Sequence, residues 1–127
     1  MKSFWIVALG GAVGTLSRYG VDQGVHPDTL FPLATFLVNI TGSFLLGALL
    51  AALIVRGDDE GHRRTARLLL GTGFLGGYTT YSALAVETDT LLRTDHAALG
   101  LAYAVATVVG GLLAAFAGIA AGRAVAR

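Results

Sequence analysis

Long apolar runs alternate with short polar interruptions along the chain, and the runs set the expected architecture. Thr29 to Val55 is 27 residues without Asp, Glu, Lys or Arg, and Ala97 to Gly122 is another 26. A helix that crosses a bilayer needs about 20 mostly apolar residues. Four segments meet that length: residues 3–21, 33–55, 66–93 and 97–122. Arg18 interrupts the first near its end, and the third has an uncharged core from Leu68 to Val86. The pattern predicts an all-α membrane protein, with four transmembrane helices in one domain over residues 1–127. Lys2 and the apolar stretch behind it have the look of a signal peptide. Gly10, Gly11 and Gly14 in its middle, and Arg18 where a cleavage site would begin, argue for a retained helix. The turn at Arg93 to His96 is tight, which predicts an antiparallel hairpin of the last two helices.

Composition agrees and narrows the function. Charged residues make up 13 % of the chain, against roughly 25 % in soluble domains. So few charges cannot cover the surface of a small soluble protein. That excludes a soluble enzyme and a nucleic-acid binder with a basic surface. The absence of Cys removes disulfides and thiolate metal sites. No nucleophile–base pair or metal-ligand spacing is present, so no enzymatic activity is expected. The charges inform by position. Lys2, Arg56, Arg63, Arg64, Arg67, Arg123 and Arg127 fall at the two termini and the second loop, while the other loops carry only Arg93. By the positive-inside rule both termini face the cytoplasm of a multi-pass protein in the cell membrane.

The chain has 18 Gly, about twice the usual share of ~7 %. Gly10/Gly14, Gly73/Gly77 and Gly118/Gly122 have the small-xxx-small spacing that lets helix backbones approach closely. The third span differs from the others. Gly76 and Gly77 are adjacent, and four hydroxyl residues, Tyr78, Thr79, Thr80 and Tyr81, follow directly, with Ser82 behind them. Two interior glycines cost a helix roughly 1 kcal/mol each. A break is therefore expected at Gly76–Gly77, near mid-membrane. Irregular backbone at that depth survives only where protein buries it or a cavity receives it. Discontinuous helices of this kind gather cations at carbonyls and anions at helix N-termini. Two motif matches are discounted. Gly71-x-Gly73-x-x-Gly76 matches a dinucleotide fingerprint but lacks the strand that motif requires. Asn39-Ile40-Thr41 matches a glycosylation sequon but lies inside a span.

Polar residues inside the spans form stripes. Thr35, Asn39 and Ser43 recur at i, i+4 and i+8 on the second helix. Tyr103 and Thr107 stand one turn apart on the fourth. Thr79, Thr80 and Ser82 lead towards Glu87 on the third. Such groups usually face a bundle interior, where an interhelical hydrogen bond contributes ~0.6 kcal/mol on average. Together with the break they favour a pathway. There is no His pair, acidic cluster or mid-span Lys. Hydroxyls and an amide donate hydrogen bonds, which suits a small, hard, strongly hydrated anion.

At this level of detail the chain resembles the CrcB/Fluc family of fluoride channels over nearly its whole length. The resemblance rests on Gly10-Gly11-Ala12-Val13-Gly14 with Ser17-Arg18-Tyr19, on Asn39-Ile40-Thr41-Gly42-Ser43-Phe44, and on the run from Gly71 to Ser82. It implies passive fluoride export and fluoride resistance, through an antiparallel dimer with two pores. It also implies a structural sodium ion at the dimer centre, held by the backbone carbonyls of Gly76 and Thr79. Asn39 would match the family's pore Asn. Thr35, Glu87 and Tyr103 would fall on the family's polar track, and the stripes above add Ser43, Thr80, Ser82 and Thr107 to the expected fluoride path, with Tyr81 and Leu84 beside them. The family's paired Phe positions read Tyr81 and Leu84 here, and Leu84 offers no positive ring edge to an anion. At least one pore built with this chain is then expected to be weakened.

The bias of basic residues is a second departure. An antiparallel homodimer needs subunits that insert either way, and this chain is biased to one orientation. A heterodimer with an oppositely oriented paralogue is the expectation, with a homodimer as the alternative. A competing class is the small four-helix multidrug or guanidinium exporter. It would use a carboxylate in the first helix, and none exists from Met1 to Val21. A non-transporting membrane assembly protein would need neither the break nor the aligned hydroxyls.

Overall fold

The computed structural model describes residues 1–25 and 30–126. Helix α1 is Lys2–Gly24, α2 Leu33–Val55, α3 Gly61–Ala66, α4 Gly76–Tyr78, α5 Tyr81–Arg93 and α6 Ala97–Ala126. A π-helix, Arg67–Leu75, joins α3 to α4. No strand occurs among the described residues. The second segment keeps its expected bounds, the first runs on to Gly24 and the fourth to Ala126. Helices α2 and α6 are long and apolar enough to cross a membrane, with mean hydropathy 2.2 and 2.1. Large apolar side chains cover the outside: Phe4 and Trp5 on α1, Leu45 and Ile54 on α2, Leu101, Leu113 and Phe116 on α6 are all exposed. Apolar area this extensive fits an apolar solvent better than water.

Small residues set which helices touch and in which direction they run. A side chain on Gly10 would collide with the Leu69 carbonyl, and one on Gly14 with that of Phe74. Gly77 lies in the same way against Gly11. Later residues of α1 thus meet later residues of the third segment, so the two run parallel. Gly47 abuts Ala115, Gly118 abuts Phe44, and Gly122 abuts Ala48. Helices α2 and α6 are therefore also parallel. The turn after Arg93 reverses the chain, and Gly100 packs on Leu91, so α5 and α6 form the expected hairpin. The result is two parallel pairs running opposite to each other. Lys2, Arg56, the Arg63–Arg67 stretch and Arg123 gather at one end, and Arg93 stands at the other.

The π-helix was not foreseen. Its use is visible in the spacing of the contacts to α1. Leu69, Gly73 and Gly77 are four residues apart, and each reaches Gly10 or Gly11. On a regular α-helix, residues four apart drift by roughly 40° per step. The wider π turn, bonded i to i+5, reduces that drift and keeps all three facing α1.

Tightness at these contacts is testable. Gly118→Ala should cost at least ~1–3 kcal/mol, because its new methyl meets backbone rather than a mobile side chain. Gly20 has open space around it, so Gly20→Ala should be neutral or stabilising. Thermal unfolding of the two variants in detergent checks the contrast.

Candidate functional site

The third segment breaks at Thr79–Thr80, three residues after the expected Gly76–Gly77. Gly76 is helical, with φ −64° and ψ −35°, and Gly77 remains in α4. Thr79 and Thr80 are extended, with φ/ψ of −80°/161° and −150°/126°. Of the two glycines Gly77 serves packing instead, against α1, while Gly76 faces open space. The break itself falls on two β-branched residues, which disfavour helix and tolerate extended backbone.

Side chains satisfy the broken backbone. Asn39 Nδ2 donates to the Thr80 carbonyl at 2.9 Å, and Asn39 Oδ1 accepts from the Thr80 N–H at 2.8 Å. One amide thus pairs with both polar groups of a single residue, as a neighbouring strand would. The Thr80 hydroxyl caps α5 by accepting from the Ala83 N–H at 3.2 Å. The Thr79 N–H and hydroxyl both donate to the Leu75 carbonyl, at 3.0 and 2.9 Å. Two carbonyls thereby lose their helical donors. An unbroken helix would give the Thr80 N–H to Gly76 and the Ala83 N–H to Thr79, and both donors are engaged elsewhere. No cluster of three or more His, Asp or Glu that could hold a metal occurs among the described residues. Backbone oxygens at this break are the hard, neutral donors that an alkali cation prefers.

A second polar cluster lies two turns along α5. The Thr35 hydroxyl donates to Glu87 Oε1 at 2.8 Å, and the Tyr103 hydroxyl to Oε2 at 2.6 Å. Tyr103 is fully buried, with its ring edge-on to Phe31 at 5.4 Å. One carboxylate therefore ties α2, α5 and α6 together.

A cavity of about 320 Å³ joins the two clusters. Thr35, Thr80 and Glu87 line it, together with Thr15, Arg18 and Asp22 of α1. The Arg18 Nε is buried and has no hydrogen-bond partner among the described residues. The cavity thus offers hydroxyls and an uncommitted guanidinium beside two carboxylates. Sequence reasoning counted Arg18 only as a charge near a span end. Its signal was the line Thr15, Arg18, Asp22, which repeats at three and four residues on one face of α1.

Residues 5–119 match the family model described as CrcB-like protein, Camphor Resistance (CrcB). The chain belongs to the CrcB family. It is 45 % identical over 124 residues to "Fluoride-specific ion channel FluC 2" of Leifsonia xyli subsp. xyli, covering 98 % of this chain and 86 % of that protein. It is also 45 % identical over 113 residues to "Fluoride-specific ion channel FluC 2" of Rhodococcus jostii, covering 89 % and 92 %. "Fluoride-specific ion channel FluC 1" of Cutibacterium acnes is 43 % identical over 122 residues, covering 94 % and 85 %.

In this CrcB chain the expected path residues separate into groups. Asn39 meets Thr80, and Thr35 meets Glu87 and Tyr103. Ser82 lies beside Thr80, with their hydroxyls 3.3 Å apart. Ser43 lies deeper on α2, opposite Gly111 of α6. Thr107 is buried and donates to the Tyr103 carbonyl of its own helix. Tyr81 and Leu84 are not brought into the cavity lining. Tyr81 opens α5 and is 82 % exposed on the outer surface.

The two clusters should differ in cost. Asn39→Leu leaves both the N–H and the carbonyl of Thr80 unpaired, at ~1–3 kcal/mol for each group. Tyr103→Phe removes one donor from Glu87 and keeps the ring packing. Unfolding midpoints should therefore fall further for Asn39→Leu than for Tyr103→Phe. The reverse order would refute the pairing as the anchor of the break.

Proposed function

We propose that this chain is one subunit of a fluoride-conducting channel that lowers cytoplasmic fluoride by passive export and so confers fluoride resistance. One observation carries the reading. A span broken at Thr79–Thr80, and held there by Asn39, opens at Thr80 onto a cavity that also holds the Arg18 guanidinium. The relatives named fluoride-specific ion channels add their weight.

The chemistry fits the anion. Fluoride is small and strongly hydrated, so a path must replace water with donors. The Arg18 guanidinium, the Thr80 hydroxyl and the N-terminal end of α5 supply them. Hydrogen fluoride crosses membranes as a neutral acid and ionises inside, so a passive anion path suffices to empty the cell.

Four spans in the cell membrane are the natural reading of two antiparallel sets of parallel helices. The basic end, with both termini, then faces the cytoplasm. A structural sodium ion would take the Gly76 and Thr79 carbonyls, and an antiparallel second subunit would double that set. Gly76 faces open space, so nothing in this chain obstructs such an approach. Tyr81 on the outer surface would then face the partner subunit. The single orientation favours a paralogue of opposite charge bias as that partner, and such a partner could supply the Phe side chains absent at Tyr81 and Leu84.

Liposomes loaded with fluoride and read with a fluoride electrode test the proposal. Fast fluoride efflux without chloride efflux is expected when the chain is co-reconstituted with an oppositely biased relative. Slow efflux is expected from the chain alone. Robust efflux from the chain alone would remove the heterodimer and leave the channel. No fluoride efflux in either case would overturn the channel itself.

A further inference from the structure

We propose that the groove between the end of α2 and α3 holds a phospholipid whose headgroup carries a primary ammonium. The groove has a volume of about 420 Å³ and lies at the basic end of the molecule, away from the cavity above. One wall is apolar: Leu50, Leu53 and Ile54, at i, i+3 and i+4 on α2, with Ile54 76 % exposed. The rim carries Asp58, Asp59, Arg63 and Arg67.

These four charges divide into an engaged pair and an open pair. Arg67 Nε lies 3.0 Å from both Asp59 carboxylate oxygens, and a terminal nitrogen approaches to 2.7 Å. The Arg67 guanidinium beside Asp59 holds its carboxyl below the usual carboxylate range. Arg63 is anchored differently. Its Nε donates to the backbone carbonyl of Asp58 at 2.7 Å, which spends no carboxylate. The guanidinium lies over Gly57, whose φ of +120° is a backbone conformation that favours glycine. Its terminal nitrogens and the Asp58 carboxylate have no bonded partner among the described residues.

The groove therefore offers one open cation, one open anion and an apolar wall. A phosphate answers the Arg63 guanidinium. A primary ammonium answers the Asp58 carboxylate. Acyl chain fills the Leu50–Ile54 wall. A purely anionic lipid leaves Asp58 unanswered beside its own negative charge. A choline headgroup has no N–H to donate. The position also suits a lipid, because the rim follows the last turn of an apolar helix, where headgroups meet hydrocarbon. The inference rests on membrane embedding and not on fluoride conduction.

Native mass spectrometry of the full chain, with phosphatidylethanolamine, phosphatidylcholine and phosphatidylglycerol supplied in equal amounts, tests it. Phosphatidylethanolamine should be retained roughly tenfold more than phosphatidylcholine, the worth of one charge-assisted hydrogen bond. Asp58→Asn should erase that preference, and Arg63→Gln should lower retention of all three lipids. Soluble phosphoethanolamine, lacking the acyl chains, should not displace the bound lipid. Equal retention of the first two lipids, preference for phosphatidylglycerol, an unchanged preference in Asp58→Asn, or displacement by phosphoethanolamine would each overturn the proposal. Helical circular dichroism of both variants controls for folding. Fluoride efflux measured in parallel separates a failure here from a failure of the channel reading.

Discussion

The structure turns on the backbone of one residue, Thr80. A span that breaks in apolar surroundings exposes N–H and C=O groups that no water can satisfy, at several kcal/mol each. Asn39 answers both groups of Thr80 with one side chain. Its amide carries a donor and an acceptor spaced like those of a backbone peptide. An Asp there would keep the acceptor and lose the donor, and a Leu would lose both. Because Thr80 is held, α5 starts afresh, with the Thr80 hydroxyl as its cap accepting from the Ala83 N–H. The new start lets Glu87 reach Thr35 and Tyr103 on two other helices.

That pairing works only if α2 stands close to the break, and small residues arrange this. Gly42 lies nearly one turn after Asn39, and any side chain on it would strike the Thr79 methyl group. Gly47, Gly118 and Gly122 seat α2 along α6. Gly10, Gly14 and Gly77 seat the third segment along α1. Lipid tails are as apolar as Leu, so burial alone drives little association here, and close backbone packing must supply it. The glycines are therefore part of how the site is built, although none contributes a polar side chain to it.

Much of this was legible in the sequence. The charge-free runs gave α2 its bounds and placed α6, since hydropathy acts residue by residue. The i, i+4 stripe on α2 foretold Thr35 and Asn39 as inward-facing, because helix periodicity is rigid. The break was legible in kind but not in place. Gly76 and Gly77 looked like the weak point by propensity, yet both stay helical, and Gly77 packs on the α1 backbone. The interruption moved to Thr79 and Thr80, where Asn39 could satisfy it. That choice depends on a residue 41 positions away, which no local rule contains. The π-helix was hidden for the same reason, since its purpose is a register against α1. Arg18 was visible as a charge but not as a cavity wall, because its meaning depends on Thr80 and Glu87 lying opposite.

The placement of the cavity bears on why such a chain would need a partner. Arg18 lies late in α1, Thr35 early in α2 and Glu87 late in the third segment. All three are therefore displaced towards the end that carries Arg93, away from the end that carries Arg63, Arg64 and Arg123. A single subunit in the proposed orientation would turn this cavity outward. An inverted partner would turn a like cavity to the other side, because inversion exchanges the two ends while keeping the same local geometry. The break sits between them at mid-span, with the Gly76 face open and its carbonyl without a helical donor. A second copy inverted about that point would bring two breaks together and would leave one cavity at each end of the pair. The polar break, the sided cavity and the one-way charge bias are thus three expressions of an asymmetry that a second, inverted chain would complete.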